Sequence, residues 1–221
     1  MSAYRERLAR VHERIAAACA KARRPEGSVA LVAVSKRHPA SAVREVYALG
    51  QRAFGENYVQ ELQTKAAELA ELSELRWHLI GNLQRNKAKY VAPLRAVVET
   101  VDTPRLADAL ADRVVGAPLP VLAQVSLAGE AQKSGCTEPE LPALLDAIRA
   151  RAELDLRGLM TVPPLENEAE TNRRYFARLA ELASQHALRE LSMGMSADLE
   201  VAVEEGATIV RVGTAIFGER P

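Results

Sequence analysis

Lys36 stands just past the apolar run Val29-Ala-Leu-Val-Ala-Val34, separated from it by Ser35 alone. An ammonium at the end of a buried strand is poorly solvated unless it points into a cavity or finds a partner. Such desolvation lowers a lysine pKa and frees the amine to attack a carbonyl. The same position also suits a lysine that snorkels to a rim, and position alone does not separate the two. A second kind of chemistry is written near the C-terminus. In Ser192-Met-Gly-Met-Ser196, Gly194 permits an unusual backbone angle and Ser196 stands where a helix N-cap is expected. In Arg211-Val-Gly-Thr-Ala-Ile-Phe-Gly218, Gly213 and Thr214 open a short terminal helix beside it. Amide hydrogens at two adjacent helix starts, with a hydroxyl, make an anion cradle; plain capping accounts for Ser196 but not for Gly194. Arg211 lies too deep to be only a surface charge, and a buried guanidinium needs a hydrogen-bonding partner.

Two further polar residues stand at strand ends. Asn57 closes Phe54-Gly-Glu-Asn57, where its amide serves either a ligand or the N-cap of the next helix. In Trp77-His-Leu-Ile-Gly-Asn82, period-two alternation sends His78, Ile80 and Asn82 to one face. A lone strand histidine fits a satisfied core position as well as a catalytic one. Lys133, in Gln132-Lys-Ser-Gly135, is either a solvated loop lysine or a second amine.

The elements that carry these residues alternate. An amphipathic helix over 2–22, with Leu8, Val11, Ile15 and Ala18 on one face, precedes the first strand. Strands are predicted near 29–34, 52–55, 77–81, 97–101, 120–126, 156–162, 190–193 and 208–212. Helices are predicted at 57–72, 103–115, 138–152, 168–187 and 196–205, with a shorter one in 84–94 that Pro93 must end. Eight strands separated by helices predict an α/β fold, a (β/α)8 TIM barrel with an extra N-terminal helix, as one domain over 1–221. An open doubly wound sheet would need a glycine-rich turn after the first strand, and Ser35-Lys-Arg-His-Pro39 contains no glycine. In a TIM barrel the reacting groups sit at the C-terminal strand ends, with phosphate beside strands 7 and 8.

Composition narrows the function. Lys plus Arg equals Asp plus Glu at 29 each, without the basic excess expected of a nucleic-acid binder. Cys19 and Cys136 show no metal-ligand spacing. The polar start Met-Ser-Ala-Tyr-Arg-Glu-Arg lacks a signal-peptide core, and no apolar run is long enough to span a bilayer. The expectation is a soluble, cytoplasmic protein with no membrane and no nucleic-acid partner.

Taken in order, the motifs resemble the pyridoxal phosphate homeostasis proteins, a family related to the N-terminal barrel of alanine racemase. The matching stretches are Ala33-Val-Ser-Lys36, Phe54-Gly-Glu-Asn-Tyr-Val-Gln-Glu61 and Trp77-His-Leu-Ile-Gly-Asn-Leu-Gln-Arg-Asn-Lys87, followed by Lys133-Ser-Gly135, Leu156-Arg-Gly-Leu-Met160, Leu191-Ser-Met-Gly-Met-Ser196 and Arg211–Gly218. The resemblance implies pyridoxal 5′-phosphate (PLP) as cofactor, bound to Lys36 as an internal aldimine. It implies that Ser196, Gly213 and Thr214 hold the phosphate, that Arg211 faces the pyridine nitrogen, and that Asn57 and His78 line the ring or its substituents. The family usually has asparagine where Ser126 ends strand 5, which puts a ring contact from that strand in doubt.

Arginine donates to a pyridine nitrogen but does not effectively protonate it, so the ring is a weaker electron sink than one facing a carboxylate. A carrier that buffers PLP and delivers it transiently to apo-enzymes therefore fits better than a racemase. The racemase of this barrel family takes a tyrosine from a second β-rich domain across a dimer. The chain ends four residues after Phe217, which predicts no such domain and a monomer. Of Tyr4, Tyr47, Tyr58, Tyr90 and Tyr175, none is an obvious substitute, although Lys36 itself is able to move a proton on one face. A cofactor-free Schiff-base aldolase matches the phosphate site poorly. Lys133 is a candidate second amine for hand-off to a recipient enzyme.

Overall fold

A computed structural model of the chain describes residues 3–128, 134–164 and 168–219. Its centre is a closed, all-parallel barrel of eight strands in chain order, β1 pairing with β8. The strands are β1 (Ala30–Val34), β2 (Ala53–Glu56), β3 (Arg76–Leu79), β4 (Val97–Val101), β5 (Leu119–Gln124), β6 (Leu154–Met160), β7 (Glu190–Ser192) and β8 (Ile209–Val212). Every predicted strand is present, with boundaries shifted by two residues or fewer. Around them run α1 (Ala3–Lys21), α2 (Ala40–Ala48), α3 (Val59–Glu68), α4 (Ala88–Val91), α5 (Pro104–Ala111), α6 (Leu141–Arg149), α7 (Ala169–Gln185), α8 (Leu199–Glu204) and α9 (Thr214–Phe217).

The helix α2 went unpredicted. It starts after Pro39, which takes the extended conformation of an N-cap, and buries Ala42, Val43 and Val46. Three small or β-branched residues make a weak periodic signal, and packing on the barrel decides the outcome. The segment 84–94 shortens to α4 between two 3-10 turns, Arg85–Lys87 and Ala92–Leu94, the second of which contains Pro93.

Side chains alternate between the barrel interior and the helical layer. The helical layer and the outer strand faces share one large apolar core. Inside the barrel, Val32, Leu122, Met160 and Ile209 form a separate apolar plug. Two residues beyond Ile209 on the same face comes Arg211, and beyond Val32 and Val34 comes Lys36. The interior thus changes from apolar to polar toward the C-terminal strand ends, where side chains meet a cavity.

Candidate functional site

A cavity of about 400 Å³ opens at this end, lined by Val34, Lys36, Asn57, Ile80, Val162, Pro164, Asn172, Met195, Ser196, Ala197, Asp198, Arg211, Gly213 and Thr214. Its size is that of a small-ligand pocket. Six of the seven residues that the resemblance assigns to the cofactor converge on it: Lys36, Asn57, Ser196, Arg211, Gly213 and Thr214. Lys36 continues the inward face of β1 from Val32 and Val34 and is partly exposed. A smaller recess next to it is shared by Lys36, His38, Gly213 and Thr214. Lys133 lies outside the described residues.

His78 is not among the residues of the cavity wall. Its ring nitrogen Nδ1 lies 2.6 Å from Glu99 Oε1, inside the barrel. The other oxygen, Glu99 Oε2, accepts from Ser192 Oγ at 2.5 Å. Ser192 Oγ in turn accepts from Arg211 Nη1 at 2.5 Å, while Arg211 Nη2 donates to the Thr161 carbonyl at 2.9 Å. One buried chain of polar groups therefore joins β3, β4, β7, β8 and the end of β6. Glu99 is completely buried. Burial by itself would raise its carboxyl, but His78, Arg211 and Ser192 outweigh that and hold it below the usual carboxylate range. An ionised Glu99 requires His78 Nδ1 to be the donor. Burial lowers the Arg211 guanidinium from its ordinary value, opposed by the charges of Glu99 and Asp198. The partner that Arg211 had to have is thus a set of three. Sequence reasoning missed Glu99; the available signal was one acid on the inward face of Val97-Val-Glu-Thr-Val101.

Two capping expectations are corrected. The N-cap of α3 is Tyr58, in an extended conformation, so Asn57 is displaced by one residue and its side chain goes to the cavity. There Asn57 Oδ1 is buried without a hydrogen-bond partner among the described residues. The N-cap of α8 is Asp198, not Ser196. Asp198 instead ties the loop: its Oδ1 accepts from the Met195 amide at 2.7 Å, and its Oδ2 from Asn172 Nδ2 at 2.8 Å. Ser196 lies in the turn between them, its carbonyl held by Arg14 Nη2 of α1 at 2.9 Å.

The two glycines behave as their positions require. Gly194 has φ +90°, and a Cβ there would lie 2.5 Å from Ala202 Cβ. Gly213 is the N-cap of α9, and a Cβ on it would approach the Val34 carbonyl oxygen to 3.2 Å. The end of β8 is therefore pressed against the end of β1, which brings the amides of Thr214 and its neighbour next to the Lys36 loop. Amides in the first turn of a helix have no intrahelical acceptor, and so remain available to an anion. An amine, a guanidinium, an unpartnered amide oxygen and a hydroxyl–amide pair around one small cavity suit an anionic, planar ligand with an electrophilic carbon.

Among the described residues no group of His, Cys, Asp and Glu has the arrangement of a metal site, and no helix is long and apolar enough to cross a membrane.

Comparison with known proteins places the chain in a family. The family model described as alanine racemase, N-terminal domain, matches residues 7–221. The pyridoxal phosphate homeostasis protein of Pseudomonas aeruginosa is 48% identical over 100% of this chain and 97% of its own length. The protein of the same name from Aquifex aeolicus is 42% identical over 97% of each. The structure of PipY from Synechococcus elongatus PCC7942 with PLP bound superposes with a TM-score of 0.84 at 41% identity, covering 97% of this chain and 100% of that one. Alanine racemase of Corynebacterium glutamicum, 19% identical with a TM-score of 0.69, shares the fold over 95% of this chain and 61% of its own. The chain belongs to the pyridoxal phosphate homeostasis protein family, built on the alanine racemase N-terminal-domain barrel.

Proposed function

We propose that this protein binds PLP covalently through Lys36 Nζ and acts in intracellular PLP homeostasis, buffering the free cofactor and delivering it to apo-enzymes. The observation that carries the reading is the convergence of Lys36, Arg211, Asn57, Ser196, Gly213 and Thr214 on one cavity. The residues fit the group. Asn57 Oδ1 is a buried acceptor that lacks a donor among the described residues, and Gly213 and Thr214, at the start of α9 where first-turn amides have no intrahelical acceptor, line the cavity.

PLP supplies an aldehyde and an electron-withdrawing ring. Lys36 provides the amine for the covalent link. Ser196, Gly213 and Thr214 bind the phosphate through a hydroxyl and backbone N–H groups. Arg211 donates toward the pyridine nitrogen, its direction fixed by Ser192 and Thr161, and Asn57 bounds the ring. His78 acts at one remove, by holding Glu99 under the guanidinium. Because Arg211 keeps its proton, it binds the ring nitrogen without strengthening the ring as an electron sink, which favours storage over amino-acid chemistry. The reading includes a cytoplasmic protein that acts as a monomer.

The test compares wild type with Lys36→Ala after incubation with excess PLP. Wild type should turn yellow, and borohydride should bleach it and leave the label on Lys36; the variant should stay colourless. A colourless wild type, or equal labelling of the variant, would overturn the assignment. Incubating the yellow protein with single amino acids, and then with a PLP-dependent apo-enzyme, separates the classes: transfer without racemisation marks a carrier.

A further inference from the structure

Outside the cavity, the backbone that carries Lys36 is gripped from behind by charged side chains. Lys65 of α3 is buried at 6% exposure, and Glu56 at the end of β2 is buried completely. Lys65 Nζ donates to the Ser35 carbonyl at 2.7 Å and to Glu56 Oε1 at 2.6 Å. Ser35 Oγ donates to the same Glu56 oxygen at 2.6 Å. On the other side of Lys36, the Arg37 amide donates to Glu61 Oε2 at 2.8 Å, and Glu61 lies 3.4 Å from Lys65 Nζ. Arg37 has φ +64°, a left-handed conformation that non-glycine residues hold only when their surroundings impose it.

A buried ion pair is seldom a net source of stability, because desolvating both charges offsets their attraction. Loop closure alone would be served by apolar packing. What this arrangement achieves instead is directional: both peptide groups flanking Lys36 are tied, one by its carbonyl and one by its N–H. The bonds come from side chains that do not line the main cavity. They fix the root of the Lys36 side chain, which lines the cavity.

We propose that Lys65, Glu56 and Glu61 are positioning residues for Lys36, setting how long Lys36 keeps its covalent partner. The proposal rests on the reading of Lys36 as the PLP lysine. Losing one anchor frees the loop to leave the geometry in which the amine and the phosphate cradle engage PLP together. Release then speeds up while the cavity wall stays intact.

The experiment loads wild type, Lys65→Met, Lys65→Arg and Glu61→Ala with PLP. It follows loss of the visible band after dilution into an excess of a PLP-dependent apo-enzyme, and it titrates the band against pH. Thermal unfolding of the PLP-free forms serves as the control. Release should be roughly tenfold faster or more in Lys65→Met and Glu61→Ala, the scale of one charge-assisted hydrogen bond. The midpoint of the spectral pH titration should move, and Lys65→Arg should restore part of both. Folded variants with wild-type release rates and pH midpoints would overturn the proposal. If Lys65→Met fails to fold, Glu61→Ala, altered at a partly exposed position, decides the matter alone. A wild type that never forms the band would instead refute the assignment of Lys36, a distinct outcome.

Discussion

Glu99 and His78 face each other across neighbouring strands inside the barrel, with Nδ1 and Oε1 2.6 Å apart, and neither belongs to the wall of the cavity they serve. Their effect reaches it through Arg211. The Glu99 carboxylate lies 3.9 Å from the guanidinium and is joined to it through Ser192 Oγ. A cation at the floor of the cavity thus has one counter-charge a layer deeper, in Glu99, and a second in Asp198 of the cavity wall, whose oxygens are taken up by Met195 and Asn172. The guanidinium remains charged without losing its donors to a competing carboxylate in the cavity.

That arrangement predicts the behaviour of Glu99→Gln. The amide is close to isosteric but removes the charge opposite Arg211 and presents N–H groups to one of two existing donors. A buried cation left without its partner costs roughly 3–5 kcal/mol. The variant should lose stability on that scale in urea unfolding, and PLP should bind more weakly with a shifted absorption maximum. A stable variant with an unchanged spectrum would show that Ser192 and Thr161 suffice to place Arg211.

Asn57 makes an opposite prediction for the PLP-free protein. Its Oδ1 is buried without a partner among the described residues, so the side chain is a burden on folding that PLP binding, on the proposed reading, should relieve. Asn57→Ala should leave the PLP-free protein as stable as wild type or slightly more so, because an unpaired buried polar atom costs about 1–3 kcal/mol. The same variant should bind PLP less tightly, by roughly tenfold. Equal losses of stability and affinity would mean that Asn57 works as a structural residue.

Most of this was legible in the chain, for reasons that differ by residue. Strands β1, β5 and β8 announced themselves as buried, largely apolar runs between turns, whereas β2, β3, β6 and β7 mix in polar or charged residues and were legible mainly through the alternation of strands and helices. Lys36 and Arg211 stood out because they follow or interrupt such runs. The cap residues did not: residue type favours Asn57 over Tyr58, which caps α3 without a side-chain hydrogen bond, and Asp198 suits a cap as well as Ser196, so shifts of one and two residues gave no signal. Glu99 and Lys65 were hidden by the opposite problem. Each looks like an ordinary charge until partners from distant strands are brought to it, although Lys65 does fall on the apolar face of α3, three residues after Leu62.

Gly194 offers a test of the loop that carries Ser196. Its φ of +90°, and the 2.5 Å that would separate an added Cβ from Ala202 Cβ, leave no room for a side chain. Gly194→Ala should cost on the order of 2 kcal/mol or more in unfolding free energy, from backbone strain and displacement of α8. PLP affinity should fall with it, because Ser196 lies two residues on. A wild-type denaturation midpoint would show that the loop has another conformation open to it.

Glu56 gives the pH prediction. Burial raises its carboxyl to about 7, against the lowering pull of Lys65 and Ser35. In the unfolded chain the group returns to its ordinary value of 4.5. Between these two values the native protein retains a proton that the unfolded chain has lost, so stability falls as pH rises through the window. The contribution is full below about pH 4.5 and gone above about pH 7. Glu56→Gln has no proton to lose there. The unfolding free energy of wild type minus that of the variant should therefore decline from pH 4.5 to pH 7, by up to about 3 kcal/mol at ~1.4 kcal/mol per pKa unit. Chemical denaturation at intervals across this range measures it directly. A flat difference would mean that Glu56 is ionised throughout, and that Lys65 holds the Lys36 loop as one half of a permanent ion pair.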